Sequence, residues 1–178
     1  YGTTEGQTRK ICEFLGEEAR KAGHEVALSD TTGPHLQPKG FEAAIIAGSV
    51  HYGHYQSSLE HYVRKHHKML NSIPGALLSV SLTAASDEPD SWKELEQITE
   101  DFLTKTGWNP DIVEQVAGAL RYSKYNFFKK FIMRMIAQKS GGGTDTSEDY
   151  EYTDWSQVKD LLHELEKFST GKVTATSG

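Results

Sequence analysis

A turn rich in threonine and glycine opens the chain, and a helical pattern follows it at once. Its residues are Tyr1-Gly2-Thr3-Thr4-Glu5-Gly6-Gln7-Thr8, with hydroxyls at positions 3, 4 and 8. Backbone N–H groups at a helix N-terminus lack intrahelical partners, and the helix dipole favours an anion there. Because the turn has no lysine or arginine, it differs from the nucleotide triphosphate loop and predicts a monophosphate held by neutral donors. A plain helix cap is the more common use of such a turn.

A second loop, residues 51–56, combines histidine and tyrosine around Gly53. A loop histidine beside a bound ring can donate or accept a proton, so His51 and His54 are the candidate catalytic residues. An exposed histidine without a role is the plainer alternative for each. No cysteine or carboxylate joins them at a known ligand spacing, so no metal site is predicted. The chain also lacks the Gly-x-Ser-x-Gly nucleophile motif.

The bulk composition places these loops in a globular domain. The 178 residues suit one domain, and 25% charged with 37% hydrophobic residues is typical of a soluble protein. No apolar run of about 18 residues predicts a transmembrane helix. The single cysteine, Cys12, excludes an intrachain disulfide and favours a reducing compartment.

Strand and helix patterns alternate along the chain with short connections. Unbroken apolar runs such as Ala43-Ala44-Ile45-Ile46-Ala47-Gly48 predict strands buried on both faces, and apolar residues at helical spacing predict helices. Capping boxes beginning at Ser57 and Ser91 predict the starts of two helices. The predicted strands are 24–29, 41–50, 75–82 and 112–117, and the predicted helices are 7–21, 57–70, 91–106 and 155–168.

This alternation predicts an α/β fold, an open parallel sheet with helices on both faces. Ligands of such sheets bind at the carboxyl ends of the strands, where loops 2–8, 49–56 and 82–90 should meet. The first loop supplies phosphate donors and the second supplies aromatic rings. Together they suggest a planar cofactor with one phosphate, and flavin mononucleotide (FMN) fits. The cofactor would perform the redox step while the protein orients it.

A basic, aromatic segment interrupts the alternation before the last helix. Residues 116–143 carry six cationic and no acidic side chains, although the whole chain has a net charge of −6. This local reversal predicts an anionic partner. Within it, residues 127–139 form a basic amphipathic pattern, which is typical of a helix lying on a membrane surface. An ordinary core-packed helix is an equally good interpretation of the pattern.

Several motifs, in order and over nearly the whole chain, carry a resemblance to a known family. The opening turn is similar to the phosphate signature of flavodoxins. It is joined by Tyr52-Gly53-His54-Tyr55, Ala117-Gly118-Ala119-Leu120-Arg121-Tyr122, Ser140-Gly141-Gly142, Thr144-Asp145-Thr146 and Tyr152-Thr153-Asp154-Trp155. Together these motifs resemble the flavodoxin-like, quinone-dependent protoporphyrinogen oxidases of bacterial haem synthesis.

The resemblance implies an FMN enzyme that oxidises protoporphyrinogen IX to protoporphyrin IX and passes the electrons to menaquinone or ubiquinone. It implies work at the cytoplasmic face of the inner membrane, as a peripheral protein, with no nucleic-acid partner. Self-association into a homo-oligomer stays open. The loop 49–55 and the stretch 81–85 should flank the flavin ring. The implied cofactor-binding residues are Thr3, Thr4, Glu5, Gly6, Gln7, Thr8, Ser49, Val50, His51, Tyr52, Gly53, Ser81, Leu82, Thr83 and Ala84.

By the same resemblance, the inserted segment, residues 121–146, distinguishes this family from small flavodoxins. Its cations could bind the substrate propionates, and its apolar face could rest on the bilayer that holds the quinone. The implied substrate or membrane contacts are Arg121, Lys124, Phe127, Phe128, Lys129, Lys130, Phe131 and Arg134. The expected domain organisation is one FMN-binding domain over residues 1–169, containing this segment, with a disordered tail over residues 170–178.

Two departures from the family pattern accompany the resemblance. His51 stands where an arginine is expected, which weakens any propionate contact at that position. Moreover, Tyr1 reads as the last residue of a first strand, so we expect the sheet to lack that strand and FMN binding to suffer. A flavodoxin-like NAD(P)H:quinone reductase, an electron-carrier flavodoxin and a catalytically idle binding module remain as alternatives.

Overall fold

The computed structural model describes residues 1–86, 88–120 and 150–175. A parallel sheet is formed by β1 (Ala44–Ser49), β2 (Gly75–Ser81) and β3 (Ile112–Ala117), in the order β1-β2-β3. A short antiparallel pair, β4 (Ala119–Leu120) and β5 (Tyr150–Glu151), follows. The helices are α1 (Gln7–Lys21), α2 (Ser57–Leu70), α3 (Pro89–Thr106) and α4 (Trp155–Ala175), with a 3-10 turn over Thr83–Ala85.

Helices cover both faces of this sheet, as the alternating pattern predicts. The central strand β2 is buried along its whole length. On one face Leu78 and Val80 pack in a core cluster with Ile11 of α1 and Val158 of α4. On the other face a second cluster joins side chains of α2 and α3 to the sheet, around the fully buried Leu77. The predicted α/β fold is therefore confirmed.

The residues at the helix ends show how each helix starts or stops. Gly23 (φ +96°) follows α1, Gly107 (φ +70°) ends α3, and Asp154 caps α4 through Oδ1. The predicted helix over residues 57–70 is confirmed, but neither predicted capping box forms. The N-cap of α2 is Gln56, without a side-chain hydrogen bond, and α3 starts earlier, at Pro89, because proline suits the first helical position.

The predicted strand over residues 24–29 does not form as a strand, and its contacts give the reason. In the described part of the chain, this region is hydrogen-bonded to Tyr1, whose amino group donates to the Ser29 carbonyl oxygen at 2.7 Å and whose carbonyl accepts from Thr31 N–H at 3.0 Å. Gly2 in turn pairs with Gly48 of β1 in a parallel bridge. A strand needs a series of backbone hydrogen bonds to a neighbouring strand. Residues 24–28 make no such series with the described part of the chain.

The C-terminal helix is longer than predicted. It extends to Ala175, so residues 170–175 of the predicted disordered tail are helical. Once a helix exists, each further residue adds a hydrogen bond without a new nucleation cost, so a glycine such as Gly171 weakens it without ending it. Residues 121–149, which separate β4 from β5 and include the inserted segment, lie outside the described residues. Within the described ranges, no helix combines the length and apolar character needed to cross a bilayer.

Gly48 lies where α2 packs closely against the sheet. A Cβ at this position would lie 2.4 Å from Leu59 Cδ2 and 2.7 Å from Tyr55 Cδ1, both of them buried side chains. We therefore expect Gly48→Ala to lower the free energy of unfolding by about 1–3 kcal/mol. The matched control is Gly33→Ala, since nothing lies within 4 Å of a Cβ there. Equal denaturation midpoints for the two variants would contradict this packing.

Candidate functional site

A cleft of about 410 Å³ lies at the carboxyl ends of β1 and β2. All three loops predicted to meet there contribute to it. Of the cofactor-binding residues implied by the sequence, all but Gly6 and Ala84 line the cleft. Its walls are formed by Thr3, Thr4, Glu5, Gln7, Thr8, Ser49, Val50, His51, Tyr52, Gly53, Val80, Ser81, Leu82, Thr83, Ser91, Glu94, Leu95, Ile98, Gly118 and Ala119.

The phosphate turn, residues 3–8, is shaped by Gly6 from outside the cleft. Gly6 has φ +94°, a left-handed conformation that glycine adopts without steric cost. Its N–H donates to Thr3 Oγ1 at 2.9 Å, and its carbonyl accepts from Lys10 N–H at 3.0 Å, which starts the hydrogen-bond ladder of α1. Gly6 thus directs the chain into the helix, and its neighbours line the cleft.

Thr8 carries the clearest sign of a ligand in this turn. Its side chain is fully buried, lines the cleft, and its Oγ1 has no hydrogen-bond partner within the described part of the chain. A buried hydroxyl without a partner costs about 1–3 kcal/mol, which a phosphate oxygen in the cleft would recover. None of the described cleft residues is a lysine or arginine. The residues present therefore fit a phosphate bound by neutral donors.

A side-chain network ties the phosphate turn to the end of β1. Gln56 Nε2 donates to Thr4 Oγ1 at 2.9 Å and also to Ser49 Oγ, and the two hydroxyls lie 3.4 Å apart. Gln56 was not among the predicted site residues, because its position before α2 gives no sequence signal. It positions two cleft residues without lining the cleft itself.

The second loop makes a tight turn that presents one aromatic ring. His51 and His54 exchange backbone hydrogen bonds, at 2.9 and 3.1 Å, across Tyr52 and Gly53. Both central residues have positive φ, +50° and +77°, as in the favoured two-residue hairpin turns. The Tyr52 side chain is 64% exposed, and its ring packs edge-on against His51, with centroids 4.4 Å apart. Tyr52 therefore stands at the mouth of the cleft.

The loop residues divide between the cleft and the core. His51 lines the cleft but His54 does not, which leaves His51 as the better-placed proton-transfer candidate. Tyr55, expected beside the flavin ring, instead packs on Phe102 in the core and hydrogen-bonds Thr99 at 3.1 Å. Burial raises the pKa of the Tyr55 phenol, so it stays protonated. Ala84 N–H is held by Ser81 Oγ at 3.1 Å in the 3-10 turn, away from the cleft.

Helix α3 supplies a wall that the loop-based prediction missed. Ser91, Glu94, Leu95 and Ile98 line the cleft from its first turns. Their spacing of three and four residues places them on one helical face, so the signal was present in the sequence. Gly118 and Ala119, at the start of β4, also line the cleft. Among the residues that the structure describes, no three potential ligands are close enough to hold a metal ion.

The predicted substrate and membrane contacts all lie outside the described residues. They are Arg121, Lys124, Phe127, Phe128, Lys129, Lys130, Phe131 and Arg134. These assignments therefore stay predictions.

Thr8 offers a test in which stability and affinity should move in opposite directions. Thr8→Val keeps the side-chain volume and removes the unpartnered hydroxyl, so the ligand-free protein should gain about 1 kcal/mol in free energy of unfolding. If the expected ligand is FMN, the same change should weaken its binding about 10-fold or more, because a charge-assisted hydrogen bond is lost. Denaturation and flavin fluorescence titration measure the two effects, with Thr8→Ser as the hydroxyl-retaining control. Unchanged FMN affinity in Thr8→Val would exclude Thr8 as a phosphate ligand.

Comparison with known proteins agrees with this fold. Residues 1–147 match the model of the flavodoxin domain. In solved structures, rubredoxin oxygen:oxidoreductase from Desulfovibrio gigas is similar in fold, with a TM-score of 0.57 and 14% sequence identity. That match covers 97% of this chain and 35% of the other.

Relatives in sequence are closer than this structural neighbour. Protoporphyrinogen IX dehydrogenase [quinone] of Escherichia coli strain K12 is 35% identical over 169 residues, which is 93% of this chain and 91% of the relative. The protein of the same name from Leishmania major is 32% identical over 163 residues, or 89% of this chain and 69% of the relative. The chain therefore belongs to the flavodoxin-domain family and, within it, to the quinone-dependent protoporphyrinogen IX dehydrogenases.

Proposed function

We propose that this chain oxidises protoporphyrinogen IX to protoporphyrin IX with FMN as its cofactor, and that a quinone, menaquinone or ubiquinone, accepts the electrons. The observation that carries the proposal is the 35% identity to the Escherichia coli dehydrogenase, which extends over 93% of the chain. The match therefore extends over nearly the whole chain.

The choice of FMN among flavins rests on the phosphate turn. A flavodoxin domain indicates a flavin cofactor. The turn offers the α1 N-terminus, the hydroxyls of Thr3, Thr4 and Thr8, and no cation, which suits one phosphate group. A dinucleotide would bring a second phosphate, and no described lysine or arginine lines the cleft to meet the added charge. This supports a mononucleotide.

The remaining cleft residues would orient the reactants. When bound, the flavin supplies two-electron redox chemistry. Tyr52 and residues 81–83 line the cleft from two different loops, so together they can define the plane of a bound ring. Leu95 and Ile98 give the α3 side an apolar surface, which keeps water from the ring. His51, which lines the same cleft, can accept a proton released by a pyrrole N–H.

We also propose that the inserted segment binds the substrate propionates and the membrane surface, which would place the protein as a peripheral protein at the inner face of the plasma membrane. Six cations and no acidic residue between positions 121 and 143 support the anionic contact, and the apolar spacing of Phe128, Phe131 and Ile132 supports a lipid contact. A lipid-dissolved quinone would then be reached without leaving the bilayer.

An anaerobic turnover assay tests the proposed reaction. The purified chain, FMN, protoporphyrinogen IX and a menaquinone analogue are mixed, and the growth of porphyrin fluorescence is followed. We expect quinone-dependent fluorescence, because each oxidation step needs the flavin to be reoxidised. FMN binding without porphyrin formation would refute the substrate, and quinone-dependent NADPH oxidation would instead favour a nicotinamide-dependent reductase.

A liposome assay tests the membrane contact separately. Replacing Phe128, Phe131 and Ile132 with serine should remove most of the co-sedimentation with anionic liposomes and slow quinone reduction, while FMN affinity is retained. A matched control replaces Leu36 and Phe41 with serine, two exposed apolar residues of the described fold that are not part of the segment. Undiminished co-sedimentation of the triple variant would rule the contact out.

A further inference from the structure

A partly buried relay of two hydrogen bonds connects the phosphate turn with Thr153, near the far end of the chain. Gln7 Nε2 donates to Thr153 Oγ1 at 2.9 Å, and Thr153 Oγ1 donates to the Ala117 carbonyl oxygen at 2.8 Å. Thr153 is 9% exposed, and 146 residues separate it from Gln7. The Thr153 hydroxyl therefore donates its hydrogen to β3 and accepts a hydrogen bond from Gln7, the first residue of α1.

Both ends of this relay meet the cleft. Gln7 lines it within the phosphate turn, and Gly118, the residue after Ala117, lines it beyond the end of β3. Thr153 itself is not a lining residue. The neighbouring backbone supports the same link, because Tyr152 N–H donates to the Gly118 carbonyl oxygen at 3.1 Å. Thr153 thus holds two walls of the cleft at a fixed separation without contacting a ligand.

The relay also decides the direction of the Gln7 amide. Because Thr153 Oγ1 gives its only hydrogen to Ala117, it can only accept from Gln7, which orients Gln7 Nε2 toward it. The Gln7 side chain is thereby held in one rotamer beside the backbone N–H groups that begin α1. Those N–H groups are the phosphate donors expected of the turn.

We propose that Thr153 is a positioning residue for cofactor binding, which sets the phosphate turn through the Gln7 amide and ties it to the end of β3. The inference rests on the proposed binding of a flavin phosphate at this turn. It assigns a role to the segment that follows β5, which supplies no cleft residue. Preorganised donors bind more tightly because less freedom is lost on binding.

The proposal separates two ligands that share one ring system. FMN and riboflavin have the same isoalloxazine and ribityl groups, and only FMN has the phosphate. If Thr153 acts on the phosphate turn, its loss should weaken FMN binding and leave riboflavin binding unchanged. General loosening of the cleft would weaken both ligands together.

The experiment compares Kd values for FMN and riboflavin, from flavin fluorescence titrations, in Thr153→Val, Thr153→Ser and the unaltered chain. Thr153→Val should raise the FMN Kd about fivefold or more, as expected for one lost buried hydrogen bond, while the riboflavin Kd stays the same. Thr153→Ser retains the hydroxyl and should restore FMN affinity. Combined with Gln7→Ala, Thr153→Val should add no further loss, because both changes break one relay.

A matched control uses another tie between α4 and β3. Gln157 Nε2 donates to the Gln115 carbonyl oxygen at 3.1 Å but lies away from the cleft, so Gln157→Leu should lower the melting temperature without changing either Kd. An FMN Kd unchanged in Thr153→Val, equal weakening of both flavins, or additive effects with Gln7→Ala would each overturn the proposal. Titrations involve no turnover, so a chain that shows the predicted pattern yet forms no porphyrin refutes the proposed substrate and leaves this inference standing.

Discussion

The close approach of three backbone segments around Leu59 is the constraint on which the cleft depends. Gly2 pairs with Gly48 through hydrogen bonds of its N–H to Ala47 and of its carbonyl to Ser49 N–H, at 2.9 and 3.2 Å. A Cβ on either glycine would collide with Leu59 or its neighbours. Leu59 is fully buried between them. Glycine at both positions lets α2 approach the sheet, and this brings the phosphate turn and the Tyr52 loop to the same edge.

Charge is divided sharply between the cleft and the inserted segment. The described cleft residues include Glu5 and Glu94 and no lysine or arginine, so the cleft offers its ligand neutral donors and helix N-terminal amides. The cationic side chains are concentrated instead at residues 121–139 of the sequence. The phosphate of the cofactor and the carboxylates of the substrate are both anionic. Separate sets of donors would keep them from competing for one site.

Most of the core fold could be predicted because it is local. The strands 44–49, 75–81 and 112–117 appear as apolar runs, and the helices α1 to α3 appear as apolar stripes. The predicted strand over residues 24–29 is wrong because a strand depends on a neighbouring strand, which the sequence pattern alone does not identify. The α3 wall was missed because site residues were sought only in loops. The link between Gln7 and Thr153 could not be predicted, since no local pattern relates residues 146 positions apart.

The only cysteine of the chain lies in the helix that follows the phosphate turn. Cys12 is on α1, within the core that joins α1 and α4 to the sheet, and burial raises its pKa to about 12. Reaction with a thiol reagent needs the thiolate and access to it. Burial makes both scarce while α1 packs on the sheet, so the rate of thiol modification reports how often that packing opens. The modification rate of Cys12 thus reports on the opening of the same helix whose first turn forms the phosphate site.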